Sequence, residues 1–160
     1  MNDLLLQHTS LSLALAMQAL QASLHKAISV KVNVSIAVVD KAGHLLHMAH
    51  MDGAPLLSRD IALNKARTAV SFGLPTQAWQ QRLKGCSPAV RQGLPLQPGL
   101  AMFGGGEPLR FAGEVIGAIG ISGASEALDQ ACAQAASLHV EALLAAHSES
   151  RQGAVSPGQN

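Results

Sequence analysis

The sequence predicts a single α+β domain built on an antiparallel sheet. Two pairs of strand-like segments are each joined by a tight turn, which makes their pairing antiparallel and excludes a doubly wound parallel sheet. Stretches with helical spacing of apolar residues precede, separate and follow these hairpins. A chain of 160 residues suits one domain whose core stands without disulfides or a structural metal.

Thr9 or Ser10 is the expected N-cap of a first helix running to about Lys26. Its run LSLALAMQA has the look of a secretory apolar region. The first basic side chain is Lys26, however, and Asp3 stands where a signal peptide carries positive charge, so an amphipathic core helix is the better reading. No stretch approaches a membrane span. The period then switches: Val30, Val32, Val34, Ile36 and Val38 alternate with Lys31, Asn33, Ser35 and Ala37, as in a half-buried strand. Asp40–Gly43 supplies the turn and His44–Met51 the returning strand.

Asp52-Gly53-Ala54-Pro55 breaks that strand, Ser58 is the expected cap of a helix over Arg59–Phe72, and Gly73 suits the position after its end. Thr76 is expected to cap a shorter helix carrying Trp79 and Leu83. Gly85–Gly99, with three Pro and three Gly, reads as an irregular surface segment. A glycine-rich hairpin spans Gly104–Gly123, its strands Leu109–Ala112 and Val115–Ser122 joined by Gly113-Glu114. A long alanine-rich helix is expected over Ser125–Ala146. The domain is therefore expected to occupy residues 1–147, and the polar segment 148–160 to form a flexible tail.

Composition excludes several functions. Eleven basic against ten acidic side chains give no dedicated nucleic-acid surface. One Trp, three Phe and no Tyr are too few for base-stacking platforms. Cys86 and Cys132 are far apart and form no C-x-x-C, so a cytoplasmic setting without disulfides is the default.

Three motifs invite chemistry. His44, His47 and His50 form H-x-x-H-x-x-H, but on a strand His47 points away from the other two. His44 and His50 would lie about 20 Å apart, beyond a single ion, so the triplet reads as strand histidines, with one of them free to face a pocket. Gly120–Ala124 has the form of a nucleophile elbow around Ser122. It lacks the parallel sheet that an elbow needs, and Asp129 and His139 sit apart on one helix. Gly117-x-x-Gly120-x-x-Gly123 departs from dinucleotide spacing, and no second strand with an acidic end follows. The helix start near Ser125 keeps an anion-binding potential. The hairpin glycines leave two readings open: helices or another subunit packed directly on the sheet, or room for a flat ligand.

Residues 36–54, 63–72 and 104–136 together resemble the GlcG/HbpS-like heme-binding family, whose name carries a heme-degrading role and which includes the C-terminal domain of PduO. The resemblance covers about residues 5–146 in order. It implies a profilin/PAS-like antiparallel sheet of about five strands with flanking helices, and assembly into a homo-oligomer. Asp52, Gly53, Lys65, Gly104, Gly105, Gly120, Ser122 and Asp129 match the family pattern. Before Met51-Asp52-Gly53 the family commonly carries Arg, and this chain carries His50. That exchange removes a bidentate partner for a carboxylate and brings a group that ligates iron or moves protons.

The resemblance implies a small-ligand-binding accessory protein that takes heme or a related tetrapyrrole non-covalently, with His50, Asp52, Lys65, Gly104, Gly105 and Ser122 as ligand-binding candidates. No metal ion is expected to bind directly to the chain. A second reading is a small-molecule enzyme of a catabolic pathway acting on a carbonyl or carboxylate substrate, with Lys65, Asp52 and His50 as catalytic candidates. The plain alternative for Lys65 and Asp52 is a structural salt bridge. A third reading is a ligand-free oligomeric scaffold.

Overall fold

In a computed structural model that describes residues 4–153, with side chains to Arg151, the first helix begins later than the sequence suggests. Helix α1 spans Leu13–Ser29, and its N-cap is Ser12, whose side chain accepts the Leu15 N–H. Residues 10 and 11 are used by the sheet instead: the Leu11 N–H donates to Ile116 O at 2.9 Å. The C-terminal end of α1 also borrows residues expected in a strand. Val30, Lys31 and Val32 donate back to Lys26, Ile28 and Ala27, and Lys31 takes a left-handed φ of 58°. Strand β1 therefore starts only at Ser35 and ends at Asp40.

Strand β2, Leu45–His50, returns antiparallel to β1. Helix α2 covers Ser58–Phe72 and closes on Gly73 in the left-handed conformation, as expected. Ser58 is the first residue of the helix, not its cap, and its hydroxyl donates to Pro55 O. Thr76 likewise caps nothing. It opens a 3₁₀ turn leading into α3, Trp79–Lys84, while its Oγ1 accepts the Gly106 N–H at 2.8 Å. The segment expected to be irregular contains helix α4, Pro88–Gly93, because Ser87 caps it and Pro88 stands at the first helical position.

Strands β3, Gly106–Phe111, and β4, Glu114–Ser122, form the second hairpin, and α5 runs from Glu126 to Gly153. The expected boundary at residue 147 thus falls inside α5, and residues 154–160 of the expected tail lie outside the described residues. All pairings are antiparallel, in the order β2-β1-β4-β3. The sheet has four strands among the described residues, not five. Ahead of β3, Gly104 and Gly105 donate their N–H groups to side chains of α5, while Gly105 O accepts the Ile121 N–H of β4.

Helices α1 and α5 pack on each other and on one face of the sheet, where Val34, Ile36, Val38, Ile119 and Ile121 meet Ala19, Leu20, Ala133 and Val140. Helix α2 lies on the other face, across β4, β1 and β3, with Ala66 and Ala69 on Val39 and Ala118. Small residues let these layers approach closely. A Cβ on Gly120 would lie 1.9 Å from Ala62 O, and one on Gly117 would lie 1.8 Å from the Leu11 side chain. These two glycines serve helix and chain packing, so the open choice between packing and ligand room resolves to packing at both.

The β3–β4 turn is a two-residue loop with φ of 50° at Ala112 and 82° at Gly113. Such a turn favours Asn-Gly, and a left-handed Ala costs about 1–2 kcal/mol. Ala112→Asn is expected to raise the unfolding free energy by about 1 kcal/mol, read from a urea titration. A variant no more stable than the parent would contradict that turn geometry.

Candidate functional site

The buried charge of the protein sits where α2, α5 and the glycine run converge. Lys65 is 1% exposed and its Nζ donates to Asp129 Oδ2 at 2.9 Å and to Ile121 O at 2.8 Å. Asp129 Oδ1 accepts the Ala124 N–H at 3.0 Å, and the Phe103 ring lies over Nζ with its centroid 4.8 Å away. Burial pushes the Lys65 ammonium below its ordinary pKa, partly offset by the Asp129 charge. Burial pushes the Asp129 carboxyl above its ordinary value, partly offset by Lys65.

Lys65 thus forms a structural salt bridge, but with Asp129 and not with Asp52. Asp52 lies exposed in the turn after β2 and makes no ion pair among the described residues. The catalytic grouping of Lys65, Asp52 and His50 is not assembled: its amine is sealed in and its acid is on the surface.

Gly104 and Gly105 belong to the lining of that pair. Gly105 has φ of 123°, and a Cβ there would lie 2.5 Å from Ile121 O and 2.7 Å from Lys65 Nζ. The Gly104 N–H donates to Glu126 Oε1 and the Gly105 N–H to Gln130 Oε1, each at 2.8 Å. Gln130 in turn donates to Glu107, whose carboxyl burial holds above its ordinary pKa. The first turn of α5 carries the chain's own acids, Glu126 and Asp129, which suit its positive end.

The other candidates form a row across the sheet on the α2 face. Ser35 of β1 is in register with Ser122 of β4 on one side and with His50 of β2 on the other. Ser35 and Ser122 are buried, and His50 is half-buried. His50 Nδ1 lies 2.7 Å from Ser35 Oγ, Ser35 Oγ lies 2.8 Å from Ser58 Oγ, and Ser58 Oγ donates to Pro55 O at 2.5 Å. His50 Nε2 has no partner among the described residues.

Helix α2 covers β4, β1 and β3 on this face and leaves β2, the edge strand, as an open strip. Met48 and His50 point into the strip from the sheet, because they pair with Ala37 and Ser35. The flank of α2 beside it is identified by Arg67, whose Nε donates to Gly43 O, and by Leu63 and Val70, which pack on the cluster of Val39, Ala66, Ala69 and Ala118. Helical spacing puts Arg59 on that flank with Leu63. Leu56, just before α2, is 73% exposed.

His47 pairs with Val38 and so faces the opposite side of the sheet, while His44 Nδ1 lies 3.3 Å from Asp40 in the turn. The three histidines are thereby scattered, as strand alternation requires. Among the described residues no three His, Cys, Asp or Glu side chains gather to hold a metal ion. A concavity of about 460 Å³ lies elsewhere, by Leu11, Leu15, Phe111 and Leu144, and its lining has no ionisable side chain. Sequence reasoning missed Ser35 as the partner of His50 and Ser58 as the partner of Ser35. The one available signal was a polar residue at position 35 within an apolar run.

The family model for the haem-degrading protein HbpS-like family matches residues 11–137. The Klebsiella pneumoniae protein ORFY is 38% identical, over 88% of this chain and 96% of its own, with a TM-score of 0.79. A double mutant of Streptomyces reticuli HbpS is 36% identical over 86% of this chain and 92% of its own, with a TM-score of 0.77. PduOC, solved as a heme complex, is 30% identical over 82% of this chain and 95% of its own, with a TM-score of 0.74.

Proposed function

This chain belongs to the haem-degrading protein HbpS-like family, and from that premise we propose that it is a ligand-binding accessory protein that takes heme or a related tetrapyrrole non-covalently. The observation that carries the reading is His50, an imidazole with an unpartnered Nε2 on the uncovered strip of the sheet. A relative of known structure was solved with heme, which supports the same ligand class here.

The strip fits such a group in its donor set. Met48, Leu56 and Leu63 offer apolar surface to a flat macrocycle, His50 a nitrogen to its iron, and Arg59 a guanidinium to its carboxylates. When bound, the iron supplies redox and ligand-binding chemistry, while the chain supplies orientation and exclusion of water on one side. The concavity by Leu11 and Phe111 offers neither a nitrogen donor nor a cation.

Asp52, at the end of the strip, is the surface acid of the same site. Lys65, Gly104 and Gly105 stand apart from it, beside β4 and ahead of β3, where they support the packing of α2 and α5 on the sheet. The enzymatic reading has less support, because Lys65 gives no free amine to a carbonyl or carboxylate substrate. Self-association into a homo-oligomer and a cytoplasmic setting belong to the same proposal. No helix among the described residues is long and apolar enough to cross a membrane.

Titration of the purified protein with hemin is expected to give a shifted Soret band that saturates at a defined stoichiometry. The absence of a shift, or a response that never saturates, overturns the reading. Native mass spectrometry of the protein from its source reports subunit number and any retained ligand in one measurement.

A further inference from the structure

We infer that a chain of hydroxyl groups locks His50 in the tautomer protonated at Nδ1, so that its bare Nε2 is the donor to the iron of a bound macrocycle. The inference rests on the heme reading for its ligand, and on proton counting for its donor.

Three contacts run in series from His50 to Ser35 to Ser58 to Pro55 O. Pro55 O accepts the Ser58 N–H at 3.0 Å, and because it has no proton of its own, its 2.5 Å contact with Ser58 Oγ takes the Ser58 hydroxyl proton as well. Ser58 Oγ then has no proton for Ser35, and their 2.8 Å contact requires Ser35 to donate to Ser58. Ser35 in turn has no proton left for the imidazole, and the 2.7 Å contact requires His50 Nδ1–H to donate to Ser35 Oγ. The opposite assignment at Nδ1 leaves the two serine oxygens facing each other with no proton between them. The order is therefore set by the carbonyl at its end, and in the neutral imidazole the consequence is a lone pair on Nε2.

That state is not the one a solvated histidine prefers, since a free imidazole side chain favours the proton on Nε2. Ser35 is wholly buried and held in the central part of the sheet, which makes the bias a fixed property of the fold. Histidines that ligate metals are commonly oriented by a hydrogen bond from their other nitrogen, and Ser35 gives His50 that support. A single donor cannot hold a bare ion, and no cluster of further donors gathers among the described residues. It suits a metal that arrives with its equatorial ligands already in place, as in a tetrapyrrole.

The tautomer is tested without any ligand. Long-range ¹H–¹⁵N spectra of the apo protein at neutral pH, assigned with His50→Gln, are expected to show Nδ1 protonated and Nε2 bare. Ser35→Ala is expected to move the population towards Nε2–H. An apo protein whose His50 carries its proton on Nε2 overturns the inference whatever heme does.

Hemin titration then tests the donor. Wild type is expected to give an imidazole-ligated Soret band, His50→Gln to lose it, and added free imidazole to restore it. Ser35→Ala is expected to weaken hemin affinity about 10–100-fold while circular dichroism reports an intact fold. Saturable hemin binding with the same spectrum in wild type and His50→Gln overturns the donor assignment and leaves the heme reading standing. No saturable binding by wild type overturns both.

Discussion

Asp129→Ala is expected to lower the unfolding free energy by about 3–5 kcal/mol, because it leaves the Lys65 ammonium buried without a counter-ion. Set against a total of about 5–15 kcal/mol for a domain of ordinary stability, that loss threatens folding itself. The reason lies in the surroundings. Lys65 is 1% exposed, and neither its remaining hydrogen-bond partner, Ile121 O, nor the Phe103 ring over its Nζ carries a charge. The Ala124 N–H loses its acceptor in the same substitution. Yet the pair itself adds little over an apolar one. Burial moves each group towards its neutral form, and the partner only offsets part of that shift. The double variant Lys65→Met/Asp129→Leu is therefore expected to recover most of the stability lost in Asp129→Ala. Urea unfolding followed by circular dichroism measures both. A loss under about 1 kcal/mol in Asp129→Ala would mean a solvated surface bridge and would contradict the buried pair.

The identity of Lys65's partner shows where sequence reasoning reaches and where it stops. Period and turn chemistry located both hairpins, the helix ending at Gly73 and the long final helix, because each is written in consecutive residues. Lys65 also stood out as a residue in need of an acid. Which acid it meets depends on how α5 crosses the sheet, 64 residues further along, and no local pattern encodes that. The same holds for Ser58. Its position before a helical run suggests a cap, and only the register of β1 with β2 and the placement of α2 turn it towards Ser35 and His50. The exchange of Arg for His at position 50 was legible as chemistry. Its tautomer was not, since that follows from a serine of β1 and from a serine and a carbonyl at the start of α2.

The glycine-rich hairpin yields the other large effect. Gly120→Ala is expected to destabilise the protein at or beyond the upper end of the roughly 1–3 kcal/mol typical of overpacking. Its new methyl would sit 1.9 Å from Ala62 O and 2.6 Å from Ala66 N, and both are backbone atoms of α2. No rotamer change relieves that contact, so the helix must lift from β4, on which it packs. Gly113→Ala provides the contrast. A Cβ there meets nothing within 4 Å, and its cost is confined to a left-handed φ of 82°, about 1–2 kcal/mol. Thermal and urea unfolding of the two variants separate crowding from backbone strain. Near-wild-type stability in Gly120→Ala would place α2 elsewhere and reopen the hairpin as a ligand surface. The expected loss assigns Gly120 to the inside of the fold, and it agrees with the proposed ligand face on the edge strand β2, LLHMAH, which contains no glycine and carries His50.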